Sequence, residues 1–283
     1  MIACGGRSSH DTQRAKDAGS KPAFVDVACG ETSACALRND GEAVCWGSSF
    51  GPPSPGPFVA LAASGAYACA LRSDGTIACW GSAFPTLPAG HYAAVSAELD
   101  GLLCGLTVDG LAVCRLSYPV AGTSVVTLDG KFRSIATGES EACGISTAGH
   151  VTCTITTGVA DPSWQAPPTD ATFEQLACGN NFCCGISVAS EIQCWGDQTP
   201  NGERDAPTGE FSGVAASVLW PCAQRSDGTL QCWGKGWQST IDLPQGALGK
   251  FCVGYGFGCG IRTDGTLTCW GLSTDGVGNP PNP

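Results

Sequence analysis

The sequence predicts an all-β protein in which seven strand-rich repeats close into a ring, and three observations carry that expectation. Cysteines ten residues apart recur seven times, as Cys35/Cys45, Cys69/Cys79, Cys104/Cys114, Cys143/Cys153, Cys184/Cys194, Cys222/Cys232 and Cys259/Cys269. An apolar pair three residues apart stands at a near-constant distance before each: Phe24/Val27, Phe58/Leu61, Tyr92/Val95, Phe132/Ile135, Phe173/Leu176, Phe211/Val214 and Leu248/Phe251. The chain of 283 residues holds 40 Gly and 18 Pro with little helical periodicity, the composition of many short strands and turns.

Each apolar pair marks a first strand. Small residues follow it, as in Ala28-Cys29-Gly30 and Ala177-Cys178-Gly179, which lets backbones crowd near an axis. A short loop then leads into the cysteine hairpin. In the first copy the turn is Asn39-Asp40-Gly41, with Gly41 supplying the left-handed residue of a three-residue loop. That loop pairs Leu37 with Ala43, Ala36 with Val44, and Cys35 with Cys45. Directly opposed residues lie ~4.5–5.5 Å apart at Cα, within the range a disulfide spans. Every cysteine pair therefore reads as a hairpin staple. Asp-Gly recurs at 74–75, 109–110, 227–228 and 264–265, whereas the fifth copy has Ala189-Ser190 and is expected to turn differently. Structural zinc takes cysteine knuckles gathered in fours, and these pairs stand singly across their own turns, so no metal is expected.

A variable connection completes the unit, which repeats about every 37 residues. Repeats of this length build solenoids, arrays or propellers. Seven strand units with no polar capping repeat favour closure. The copies share Cys-Ala-Leu-Arg-x-Asp-Gly-x-x-x-Cys-Trp-Gly in their fullest form, behind Val-x-x-Gly. This pattern, over nearly all of 24–271, resembles the regulator of chromosome condensation (RCC1) repeat in its cysteine-paired form, found in secreted bacterial proteins and plant crinkly-type receptor ectodomains. The resemblance implies a seven-bladed β-propeller, here 24–283, behind a polar tether, 1–23. Two copies depart from it: Arg115-Leu116 and Thr154-Ile155 replace Trp-Gly, and the connections that follow, 117–131 and 156–172, are the longest. Blades 3 and 4 should pack differently.

Four further cysteines can be placed by the repeat. Cys29 and Cys252 lie six and seven residues before their staples, so they point to opposite faces of equivalent strands, and blades 1 and 7 are neighbours in a ring. A closing bond Cys29–Cys252 is expected, leaving Cys178 with Cys183 inside blade 5. Removing Cys4 from the 19 cysteines leaves an even number. Met1-Ile2-Ala3-Cys4-Gly5-Gly6 resembles the end of a bacterial lipobox, which would make Cys4 a lipid attachment point; the alternative is an incidental cysteine. This many cysteines in register argue for an oxidising setting outside the cytoplasm, as a secreted protein or a surface or periplasmic lipoprotein.

A net charge of −11 argues against nucleic acid, whose binders carry a basic face. No apolar run reaches the ~18 residues of a membrane span, so membrane contact is expected only through Cys4, on a monomer. His10, His91 and His150 stand alone, the serines form no nucleophile elbow and the glycines no phosphate loop. No enzyme and no cofactor are expected. Function then falls to the loops joining each first strand to its hairpin. Tyr67, Phe182, Trp220, Tyr255 and Phe257 form an aromatic arc there, and Glu31, Asp100, Glu139 and Glu141 an acidic one. Exposed aromatics are common binding anchors; these would otherwise wedge between blades. The Glu139/Glu141 pair suits acid–base work or a cation, but a solvated acidic rim accounts for it equally well. Trp164 and Trp237 would mark the opposite rim. The expected function is a binding propeller that grips a protein or peptide; a specialised form would inhibit β-lactamases or penicillin-binding proteins, as a bacterial relative of this type does. The alternative is a glycan binder or enzyme using the channel or the two long connections.

Overall fold

The computed structural model describes residues 22–48, 50–82, 84–98, 102–116, 125–155, 163–197, 202–218, 220–234, 241–271 and 276–283. Blade 1 comprises β1 (Phe24–Cys29), β2 (Ser33–Arg38) and β3 (Ala43–Gly47); blade 2 comprises β4 (Phe58–Ala63), β5 (Tyr67–Arg72) and β6 (Ile77–Gly81). Blade 3 holds β7 (Tyr92–Ala97), β8 (Leu102–Thr107), β9 (Ala112–Leu116) and β10 (Val125–Thr127), and blade 4 holds β11 (Phe132–Thr137), β12 (Glu141–Ser146) and β13 (Val151–Ile155). Blade 5 is β14 (Phe173–Cys178), β15 (Phe182–Ser187) and β16 (Ile192–Gly196). Blade 6 is β17 (Phe211–Ala216), β18 (Pro221–Arg225) and β19 (Leu230–Cys232), and blade 7 is β20 (Leu248–Val253), β21 (Phe257–Arg262) and β22 (Leu267–Gly271). Every sheet is an antiparallel meander in chain order.

The staples follow the hairpin register. The expected partners stand directly opposite one another in all seven blades. The bonds are Cys35–Cys45, Cys69–Cys79, Cys104–Cys114, Cys143–Cys153, Cys184–Cys194, Cys222–Cys232 and Cys259–Cys269. In one respect they depart from expectation: their Cα atoms lie only 4.0–4.1 Å apart, closer than the ~4.5–5.5 Å of an unbridged pair. The first cysteine of each staple is fully buried. On the outer strand Cys45, Cys79, Cys153, Cys194 and Cys269 are half-buried, whereas Cys114 is fully covered, with β10 paired along its strand.

Gly41 takes φ 90° and its N–H donates to Arg38 O at 3.0 Å. The fifth turn does not differ: Ser190 takes φ 65° and its N–H donates to Ser187 O at 2.9 Å. A serine there accepts the strain that glycine avoids in the other copies.

Neighbouring first strands touch in cyclic order, β1 meeting both β4 and β20. Between blades the lead residue donates its N–H to the preceding blade's turn carbonyl: Phe58 to Gly41, Tyr92 to Gly75, Phe132 to Gly110, Phe173 to Gly149 and Phe211 to Ser190, each at 2.8 Å. Phe24 donates to Gly265 at the same distance, which carries the pattern across the junction of first and last blades. Blade 7 departs from it. There Gln224 substitutes its side-chain amide, accepting from Leu248 N at 2.7 Å and donating to Leu248 O at 3.1 Å.

Closure rests on further links. Cys29 is bonded to Cys252, and Lys250 Nζ lies 3.0 Å from Asp26 Oδ1. Asp26 Oδ2 also accepts Leu61 N at 3.0 Å, so one carboxylate ties blades 7, 1 and 2. The C-terminal segment adds a strap: Val277 is buried beside Phe24, and its carbonyl accepts Trp46 Nε1 at 3.0 Å. Blade 3 does differ, whereas blade 4 keeps the three strands and register of the other blades. Part of the connection after β9 folds back as β10 along the outer edge of blade 3, and Gln165, from the connection after β13, bridges Gly196 at the outer edge of blade 5. Both additions cover an edge strand whose backbone groups would otherwise be open.

Candidate functional site

The antiparallel meander sends every first strand toward one face and every hairpin turn to the other. The loops 30–32, 64–66, 138–140, 179–181 and 254–256 therefore gather on one side, here the loop face, with the described ends of 98–101 and 217–219. Glu31, Glu98 and Glu139 lie there, and none of these seven segments contains Lys or Arg. The turn face receives the arginines that end the second strands. Arg72 and Arg225 lie over the rings of Phe58 and Phe211, and Arg72, Arg225 and Arg262 donate to carbonyls of the preceding connections. Threonine hydrogen bonds hold the turn carboxyls of Asp74, Asp109 and Asp227 below the usual range. Cations stand on both faces, since Arg115 at the loop-face end of β9 donates to Thr86 O and Arg204 to Gly196 O; what marks the loop face is that its joining loops carry carboxylates and no Lys or Arg.

Most of the aromatic arc expected on the loop face is packed away. Tyr67, Phe182, Trp220 and Phe257 are 2%, 0%, 2% and 1% exposed. All four stand two residues before the first staple cysteine, where the second strand begins, and their side chains enter the seam to the next blade. Phe182 packs with Phe211 and Val214, Trp220 with Leu248 and Phe251, Phe257 with Phe24 and Val27, and Tyr67 with Tyr92 and Val95. They are wedges. Tyr255, in the loop proper, is 52% exposed, and Phe84, from the connection after β6, is 37% exposed with its ring 6.4 Å from that of Tyr67. Phe84 is the loop-face aromatic that sequence reasoning missed, since connections carry no repeat signal.

The acidic arc separates in the same way. Glu31 is exposed and Glu139 half-buried, whereas Glu141 is 0% exposed and occupies the wedge position of blade 4. Burial pushes the Glu141 carboxyl up to about 8, against the hydrogen bond from Ser140, and the negative charges of Asp197 and Glu139 add to the rise. Glu141 is accordingly a neutral group at pH 7 and no part of a solvated rim. Asp100, Trp237 and Cys4 lie outside the described residues. Trp164 is partly buried against the core of blades 4 and 5. His91 Nδ1 donates to Asp74 O at 2.7 Å on the turn face.

The axis offers little room. Its wall is drawn from all seven first strands and is mostly small residues, such as Ala28, Ala62, Ala97, Ala136, Ala177 and Ala216, with Leu61, Glu98 and Val253 among them, around a cavity of about 40 Å³. That holds about three waters by the ~10–15 Å³ each requires, far below the ~300 Å³ at which ligand pockets begin. Ser96 Oγ and Thr137 Oγ1 meet in its wall at 2.9 Å, each satisfying the other. Among the described residues, this cavity is too small to enclose a sugar ring. The cysteine trio Cys143, Cys178 and Cys183, whose sulfurs lie within 4.8 Å of one another, is engaged in two disulfides.

Seven sheets around a narrow axis, each a stapled meander, define a β-propeller with disulfide-locked blades. Its repeat is RCC1-like: residues 24–50 match the regulator of chromosome condensation (RCC1) repeat. The CRINKLY ectodomain of the Arabidopsis thaliana receptor kinase ACR4 is similar at 24% identity over 93% of this chain and 98% of that one, with a TM-score of 0.72. The entire ectodomain of the Physcomitrella patens receptor kinase CR4 is similar at 22% identity over 89% of this chain and 74% of that one, with a TM-score of 0.69. Prp20p of Saccharomyces cerevisiae is similar at 15% identity over 75% of this chain and 72% of that one, with a TM-score of 0.62. Among curated proteins, none matches the chain. These likenesses concern the fold. Nine disulfides among the described residues point to an oxidising, extracellular setting.

Proposed function

We propose that the protein is an extracytoplasmic binding propeller whose loop face takes a protein or peptide partner carrying a basic surface. The observation that carries this reading is the make-up of the joining loops: they bear Glu31, Glu98 and Glu139 and no Lys or Arg, and the arginines beside them, Arg115 and Arg204, are engaged with backbone carbonyls. Such a face steers a cationic partner and makes association salt-dependent. Tyr255 on blade 7 and Glu31 on blade 1 stand on neighbouring loops, with Phe84 on blade 2 continuing the arc, so an exposed ring is available as an anchor beside the charge. A protein of this fold has been solved in a protein complex, Kap60 bound to yeast RCC1 (Prp20). Residues 24–283 would form the propeller and 1–23 its tether, with Cys4 as the lipid attachment point.

Affinity capture from an extracellular extract of the host tests the reading, with the parent protein beside a Glu31→Lys/Tyr255→Ala variant of unchanged melting temperature. A protein retained by the parent at low salt and lost from the variant, at least tenfold, is expected. Equal retention by both, unaffected by 0.5 M salt (roughly a 4–5 Å Debye length), would place binding elsewhere.

A further inference from the structure

In four blades the residue just before the first staple cysteine meets the staple of the preceding blade. Ala68 clusters with Cys35, Leu103 with Cys69, Ala142 with Cys104 and Ala34 with Cys259. In blade 5 the residue at that position is Cys183. Cys183 Sγ lies 3.4 Å from Cys143 Sγ, and both residues are fully buried. Cys183 is bonded to Cys178, its partner in the β14–β15 register, and Cys143 to Cys153. Neither sulfur carries a hydrogen, so the contact is between two cystines and is no hydrogen bond. Cys153 is the half-buried end of its staple, while Cys178 lines the central cavity.

We propose that the seam between blades 4 and 5 is a thiol–disulfide exchange site, where a dithiol reductant converts the blade 4 staple into a cross-link between the two blades. A thiolate of the reductant attacks Cys153 Sγ, the accessible sulfur; the Cys143–Cys153 bond breaks and Cys143 leaves as thiolate. Freed of its staple, Cys143 rotates about its side-chain bonds into line with the neighbouring disulfide and attacks Cys183 Sγ. Cys143–Cys183 forms, Cys178–Cys183 breaks, and Cys178 departs as thiolate and takes a proton. The reductant's second thiol attacks its own sulfur in the mixed disulfide and releases Cys153 as a thiol. Two protein disulfides become one, the dithiol becomes a disulfide, and its two protons end on Cys153 and Cys178. The rearranged protein carries an inter-blade bond and a new thiol at the wall of the axis.

Stepwise reduction of the native protein with dithiothreitol, acid quenching, alkylation and non-reducing peptide mapping test this directly. The expected product is a Cys143–Cys183 peptide pair with Cys153 and Cys178 alkylated. Species with Cys143 alkylated and Cys178–Cys183 intact, and no Cys143–Cys183 pair at any stage, would overturn the proposal. Cys153→Ser provides a second arm that needs no reductant: Cys143–Cys183 with an alkylated Cys178 is expected, and an intact Cys178–Cys183 beside an alkylated Cys143 would contradict it. Should that variant fail to fold, the native titration decides alone.

Discussion

Glu141 stands at a position filled by Tyr67, Leu102, Phe182, Trp220 and Phe257 in other blades, and it is as deeply buried as they are. A carboxyl tolerates that place only when protonated. Below about 4.5 the group holds its proton in both folded and unfolded chains; from there to about 8 only the folded protein retains it. The unfolded chain thus binds fewer protons across this window, so stability falls as pH rises through it. Glu141→Gln keeps the shape and removes the titration. Denaturant unfolding at pH 5 and pH 8 should show the parent losing on the order of a few kcal/mol that the variant keeps; parallel losses in both proteins would contradict the neutral carboxyl. The same position explains which site residues were legible. The exposure of Tyr255 and Glu31 was, because they lie inside loops, but Tyr67, Phe182, Trp220 and Phe257 fall where loop becomes strand. A shift of one residue there reverses which way a side chain points.

At the scale of the blade, the staples were legible in full, since a ten-residue spacing around a three-residue turn fixes both register and facing. The Ser190 turn was not, because a left-handed serine leaves no trace in composition. Close approach between blades was visible only as small residues after each first strand. A methyl group on Gly30 would lie 2.1 Å from Ser64 O and 2.6 Å from Phe50 Cζ, whereas one on Gly249 would meet only Ile261 O, at 3.7 Å. Backbone of a neighbouring blade cannot yield as a side chain can. Gly30→Ala should therefore cost about 1–3 kcal/mol or more, while Gly249→Ala stays within about 0.5 kcal/mol. Guanidinium melts of the two variants compare them, and equal stabilities would refute the crowding argument.

For the whole molecule, the seven repeats and their closure could be read from Cys29 and Cys252, whose offsets from their staples place them on facing surfaces. The Asp26–Lys250 pair, the Trp46–Val277 strap and the Gln224 bridge could not, because none of them has a repeated counterpart in the other blades. The closing disulfide spans a sequence separation of 223, against 10 for a staple. Chain entropy makes the longer link worth roughly 5 kcal/mol and the shorter roughly 3. Cys29→Ser/Cys252→Ser should consequently lower the melting temperature more than loss of one staple, such as Cys35→Ser/Cys45→Ser; the reverse order would mean that the other closing contacts already hold the ring. A closed ring with acidic joining loops finally makes a statement about where a partner sits. Hydrogen exchange of the protein, free and with its captured partner, measures that over the whole molecule at once. Slowed exchange in 30–32, 138–140 and 254–256, with the hairpin turns unchanged, is the predicted result. Protection confined to the turns at 39–41, 73–75 and 263–265 would contradict the account.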